Sequence, residues 1–266
     1  MNRSSIFWGL VLLLIGSLLL ADNLGFLNIN FWTLVWPVLL IAFGAWLFIG
    51  ALRGWDRGEV ERVAVPLEGA ERARVIIDHG AGAAYLRGAA ERGQLMAGEF
   101  AGGVEVRTSR EGATQVLRMK MADGDFPGVV VPFFDGRLGW NFALNGEVPL
   151  ALEVAGGAGV LNLNMRDLRV VDLKVDGGVG TSTFEMPARA GYTRARIEAG
   201  VGTVMIHIPE GVAAQIEATA GLGTITVDQN RFPAVGERRY RSANYDTAEN
   251  KLDLSVEGGV GTITVR

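Results

Sequence analysis

The chain has 266 residues, 49% of them apolar and 20% charged, with 37 glycines, no cysteine and a net charge of −4. The absence of cysteine excludes disulfides and thiol catalysis and points to a reducing compartment. Residues 1–52 carry only Arg3 and Asp22, so the whole negative charge rests on the remainder, which excludes a general nucleic-acid binder.

The first predicted elements are membrane spans. Residues 4–21, "SSIFWGLVLLLIGSLLLA", and 31–52, "FWTLVWPVLLIAFGAWLFIGAL", contain no charge. As helices they would reach about 27 and 33 Å, against a hydrocarbon core of about 30 Å. Arg3 ahead of the first run would suit a signal peptide, but Leu19-Leu20-Ala21 lacks the small residue a cleavage site needs at its first position. The expectation is a two-helix transmembrane hairpin over 1–53, joined by "DNLGFLNIN", with Trp8, Trp32, Trp36 and Trp55 near the interfaces. The turn has no Lys or Arg, whereas Arg3 precedes the hairpin and Arg53, Arg57 and Arg62 follow it. By the positive-inside rule both ends, and everything after Leu52, face the cytoplasm. Residues 54–66 read as a juxtamembrane linker and 67–266 as an all-β domain.

Residues 67–150 form its less regular half. "GQLMAGEF", "GVEVRTS" and "TQVLRMKM" alternate as strands do. "FPGVVVPFFDGRLGW", 126–140, is either a core hairpin turning at Asp135-Gly136 or an exposed apolar patch tipped by Phe133 and Phe134.

Residues 151–266 repeat one phrase, which the first half already contains once. "IDHGAGAAYLRG", "VAGGAGVLNLNM", "VDGGVGTSTFEM", "IEAGVGTVMIHI", "ATAGLGTITVDQ" and "VEGGVGTITVR" each hold a glycine pair. The pairs are Gly80/Gly82, Gly157/Gly159, Gly178/Gly180, Gly200/Gly202, Gly221/Gly223 and Gly259/Gly261. From Gly157 the first glycines follow at intervals of 21, 22, 21 and 38. A period near 21 with short strands predicts a β-solenoid in which each repeat is one rung. Sets such as Leu161/Leu163/Met165 and Val204/Ile206/Ile208 would face inward, and Asn162 and Met205 outward. A phosphate loop would lead its glycines into a helix; here every pair leads into another strand. The glycines therefore read as corners, with positive φ and close approach between rungs. The last rung, ending "GTITVR" without a cap, would leave an edge able to pair.

The long final interval holds the polar insertion 228–251, "DQNRFPAVGERRYRSANYDTAENK". Its Arg238, Arg239 and Arg241, with Tyr240, are the candidate partner-binding residues, alongside Phe133 and Phe134. His79 and His207 read as surface residues, since no spacing suits a zinc site. Asp78, Asp176, Glu198 and Glu257 share one place before the corner, where a cation site competes with solvated charge; the lack of the Gly-x-Asp calcium pattern favours solvated charge. No catalytic set, cofactor loop or metal constellation stands out, so the expectation is a non-enzyme with no cofactor.

The hairpin "WGLVLLLIGSLLLADNLGFLNINFWTLVWPVLLIAFGAWLF" resembles the membrane segment of LiaI–LiaF-like proteins. "LALEVAGGAGVLNLNMRDLRVVDLKVDGGVGTSTFEMP" is similar to LiaF C-terminal and toast-rack β-domains. The resemblance implies a bacterial envelope-stress protein acting through protein contacts at the lipid bilayer, with a sensor histidine kinase as possible partner. The alternative is a scaffold or adhesin-like protein that self-associates through its solenoid ends.

Overall fold

The structure, a computed structural model, describes residues 60–122 and 139–266, together with positions 36, 37, 40, 41 and 44. The chain divides into two units, Met1–Arg57 and Gly58–Arg266. In the first unit the described residues Trp36, Pro37, Leu40, Ile41 and Gly44 are helical. Among the described residues no helix is long and apolar enough to cross a membrane. Apart from those five positions, the expected spans, their turn and the Phe133–Phe134 tip lie outside the described residues.

The second unit is a mixed β-sheet. In chain order its strands are β1 (Val60–Pro66), β2 (Arg72–Ala89), β3 (Gln94–Ala101), β4 (Val104–Glu111), β5 (Thr114–Met121) and β6 (Gly139–Leu144). There follow β7 (Leu150–Asn164), β8 (Val170–Glu185), β9 (Tyr192–His207), β10 (Val212–Val227), β11 (Arg239–Arg241) and β12 (Asn250–Val265). The sheet order is β1-β3-β6-β2-β7-β8-β9-β12-β10-β11, with β5 between β2 and β4.

Six long strands, β2, β7, β8, β9, β12 and β10, stack in parallel register, and each bends at its glycine pair. The residues before and after the bend alternate in burial, so each strand presents an apolar row on both arms. In β9, Ala195 and Ile197 precede the corner and Val204 and Ile206 follow it, all at most 3% exposed. Stacked on their equivalents from the other rungs, these rows form one buried cluster. Parallel strands cannot be joined by tight hairpins. Between β7 and β10 the return is made by short links such as "MPARAG" and "IPEG", where Gly191 (φ 76°) and Gly211 (φ 87°) adopt left-handed backbone.

Three expectations need correction. The juxtamembrane linker is shorter than 54–66, because 60–66 is strand β1, paired with β3; Val65 is buried and Val63 packs against the core. The final rung is not the edge: β12 inserts between β9 and β10, pairing with both along nearly its whole length. The apolar rows of β12 match both neighbours, and the insertion is long enough to carry the chain back one place. The outermost of the six long strands is therefore β10, the fifth repeat. Positive φ is confined to the second glycine of each pair, from 115° at Gly82 to 147° at Gly223. The first glycine keeps ordinary φ and serves close approach alone: a Cβ at Gly200 would meet the Gly178 carbonyl oxygen at 2.6 Å.

Candidate interaction surface

The register turns the repeat into columns that run across the rungs, and the two arms expose different chemistry. Before the corner the outward columns are charged. One runs Glu153, Lys174, Arg196, Ser255, Glu217, and the next runs Asp172, Arg194, Asp253, Gln215. Arg74 of β2 bonds Glu153 of β7 through Nε at 3.0 Å, and within β8 Lys174 Nζ lies 3.1 Å from Asp176. Exposed pairs of this kind contribute about 0–1 kcal/mol each, so the wall adds little to stability.

Beside the corner, Asp176, Glu198 and Glu257 align on adjacent strands, all exposed, while Ala155 separates Asp78 from them. Among the described residues no group of three or more His, Asp or Glu is placed to hold a metal ion.

After the corner the wall is uncharged. The middle residues of the glycine pairs, Val179, Val201, Val260 and Leu222, form a ridge that is 48–71% exposed. Next to it, Thr181, Thr203, Thr262 and Thr224 stand in register, followed by Thr183, Met205, Thr264 and Thr226. Across β8, β9, β12 and β10 this wall carries no ionisable side chain until Glu185, His207, Arg266 and Asp228.

The insertion is not a free loop. Arg239, Tyr240 and Arg241 are strand β11, paired antiparallel with Glu217, Ile216 and Gln215 of β10. Tyr240 packs against the core. Arg239 Nε lies 3.8 Å from Glu217, and Arg241 pairs with Asp246 at 2.5 Å while its guanidinium stacks 4.9 Å over the Tyr245 ring. Burial, with Asp253 adding to it, pushes the Tyr245 hydroxyl above its ordinary pKa. Arg238 is exposed, and its carbonyl accepts from Ala218 N. The loop is anchored further by Phe232, 1% exposed, and by Arg231, which donates to the Ile208 and Pro209 carbonyls. The three arginines thus share one sheet end, each held differently.

His79 is not a surface residue. It is 6% exposed, its ring lies 4.9 Å from that of Trp140, and neither nitrogen has a hydrogen-bond partner among the described residues. Burial lowers its pKa below 6.5, partly opposed by the nearby Gly82 main chain and the Asp78 charge. Its column continues as Gly156, Gly177 and Ala199, so in later rungs the same place is nearly empty. The result is a cavity of about 40 Å³ under the corner, with His79 in its lining. That volume suits a few waters, well short of the hundreds of Å³ of a small-molecule site. A signal for His79 existed, because it shares parity with Val75 and Ile77. His207 is exposed.

Comparison with known proteins agrees with this architecture. No curated protein matches the chain. A protein of Clostridium sporogenes ATCC 15579, provisionally assigned to cell adhesion, shares the fold with a TM-score of 0.69 at 23% identity, over 78% of this chain and 98% of its own. A provisionally assigned adhesin of Bacteroides fragilis NCTC 9343 aligns over 78% of this chain and 97% of its own at 12% identity, with a TM-score of 0.24 too low to bear on the fold. Residues 6–48 match the LiaI-LiaF-like transmembrane region, which makes the chain membrane-associated. Residues 162–265 match the C-terminal domain of LiaF, described as a cell wall-active antibiotics response protein. Residues 56–207, more than half of the chain, match the N-terminal domain of toast_rack, DUF2154, and the chain belongs to that LiaF-like toast-rack family.

Proposed function

We propose that this protein is a membrane-anchored regulator that works by contact rather than catalysis, holding a rigid β-ladder at the cytoplasmic face and biasing an envelope-stress sensor between states. The observation that carries the reading is the two-walled ladder itself: charged columns on one arm and an uncharged Val/Thr wall on the other, both repeated in register over several rungs. Such a surface offers an extended, rigid contact area while its cavity is too small for a substrate. The family's link to a cell wall-active antibiotics response supplies the process, and a sensor histidine kinase is the partner proposed. The insertion 228–251, with Arg238, Arg239 and Arg241 at one sheet end, is the proposed contact.

The test is purification of the full chain from bacterial membranes in mild detergent, with the co-purifying proteins identified. A histidine kinase that co-purifies with the wild type, and whose signalling rises when the chain is deleted, supports the reading. Unchanged kinase output on deletion overturns it.

A further inference from the structure

We infer that the free arm of β10, Leu222 to Val227, is a dimerisation edge that pairs antiparallel with the same arm of a second copy. β10 is covered unequally. Its first arm carries β11 at Gln215–Glu217 and a last bond from Ala218 N to Arg238 O. Its second arm pairs with β12 on one side, and among the described residues no strand pairs with it on the other. Asp228 N donates to Val265 O, so Thr224 and Thr226 turn their main chain toward β12, while Gly223, Ile225 and Val227 turn theirs outward. Those outward N–H and C=O groups receive no bond among the described residues.

The packing shows the same vacancy. In the column of Ile225 the apolar residues Ala84, Leu161, Val204 and Ile263 are 0%, 7%, 3% and 2% exposed, whereas Ile225, like the polar Ser182, is only half-buried. A strand laid on this edge would complete that site. Natural sheet edges are commonly guarded by charge, proline or a bulge. Residues 218–227, "ATAGLGTITV", contain no charge and no proline.

A second copy suits the edge better than a different chain because the segment is self-complementary. With a two-fold axis at Ile225, the two Ile225 residues exchange both main-chain bonds, and each Gly223 exchanges both with the Val227 of the other copy. That register gives roughly six hydrogen bonds between the copies. It sets Ile225 on Ile225 on the core side and continues the Val/Thr wall across the join. Two molecules of charge −4 repel least where they meet through an uncharged stretch. The inference goes beyond the regulatory reading and does not depend on it.

The full chain in mild detergent tests this, because it has no cysteine of its own. Thr224 of one copy would face Thr226 of the other in a non-hydrogen-bonded pair, with Cα atoms about 4.5 Å apart and within disulfide range. Mixed T224C and T226C chains should form a covalent heterodimer on mild oxidation. Mixed T181C and T183C chains, on the same wall but in the interior strand β8, should not. By light scattering after gel filtration the wild type should have twice the mass of T224K/T226K, whose lysines are exposed and face each other across the join. A monomeric wild type, a dimer that survives T224K/T226K, or equal cross-linking in the β8 control overturns the inference.

Discussion

Three alanine substitutions separate the two reasons for glycine in this fold. Gly202 has φ 139°, and a Cβ built on it would lie 1.8 Å from the Gly180 carbonyl oxygen. Real Cβ atoms keep at least 3.0 Å, so Gly202→Ala must part β8 from β9 by about 1.2 Å at the corner or twist the backbone out of its well. Gly191 has φ 76° but open space around the missing Cβ, which leaves backbone strain alone. Gly200 has ordinary φ and a Cβ contact of 2.6 Å with the Gly178 oxygen, which leaves only a displacement of about 0.4 Å. Strain at a left-handed position costs about 1–3 kcal/mol, and overpacking about 1–3 kcal/mol. Gly202→Ala should therefore lose about 2–6 kcal/mol, Gly191→Ala about 1–2 kcal/mol and Gly200→Ala about 1 kcal/mol. For a domain of this size the first loss lowers the midpoint by roughly 4–24 °C. Thermal melts of the full chain in micelles, followed by the far-ultraviolet β-signal, give the ranking. If Gly202→Ala melts no earlier than Gly191→Ala, the corners are not held by close contact between rungs, and the stacking argument fails.

Other measurements address the remaining sites. His79 is held neutral by burial, and the unfolded chain takes up its proton more readily, so stability should be complete above about pH 6.5 and fall as pH drops through that value; His79→Phe should flatten the urea-midpoint difference between pH 7.5 and 5.5, and an unchanged slope would assign the effect to other groups. Replacing Arg238, Arg239 and Arg241 together by Ala removes two exposed ion pairs, so the melt should move by no more than about 1–2 kcal/mol, while kinase capture, if this sheet end is the contact, should weaken most at low salt. An alkaline-phosphatase fusion after Arg62 should be inactive and one within residues 22–30 active; the reverse pattern would put the β-domain outside the cytoplasm.

Period-two alternation is a strong signal in this chain because each rung is buried on one side only. Shifting Val204 and Ile206 by one residue would bring Met205 and His207 into the core, so parity alone assigns them. The two kinds of corner glycine were not separable in the same way. Gly200 and Gly202 look alike in sequence, yet Gly200 serves close contact alone and Gly202 both contact and a left-handed backbone, a difference only the folded corner shows. Residue type reads His79 as a surface group, whereas its parity with Val75 and Ile77 points inward. Trp140, the ring beside it, is brought there by the pairing of Gly139 and Trp140 of β6 with Ala83 and Ala84 of β2, a long-range contact that no local pattern reports.

The order of the last rungs has a further physical lesson. A repeat specifies which residues stack on which, but the columns of β9, β10 and β12 are nearly interchangeable: Val204, Ile225 and Ile263 fill one row, and Thr203, Thr224 and Thr262 another. Either order buries the same rows, so the choice falls to the connection. A turn of four residues, 208–211, leads from β9 to β10, whereas 22 residues, 228–249, lie between β10 and β12. That segment closes the end of the fold with Phe232 and Arg231, lays β11 on the first arm of β10, and then returns the chain to the gap beside β9. Placing β12 outermost would have left β11 no edge to pair with on β10. The insertion and the exchanged order are thus one feature, and together they set which strand meets solvent: the C-terminal strand is enclosed, and the uncharged arm of β10 is left at the edge.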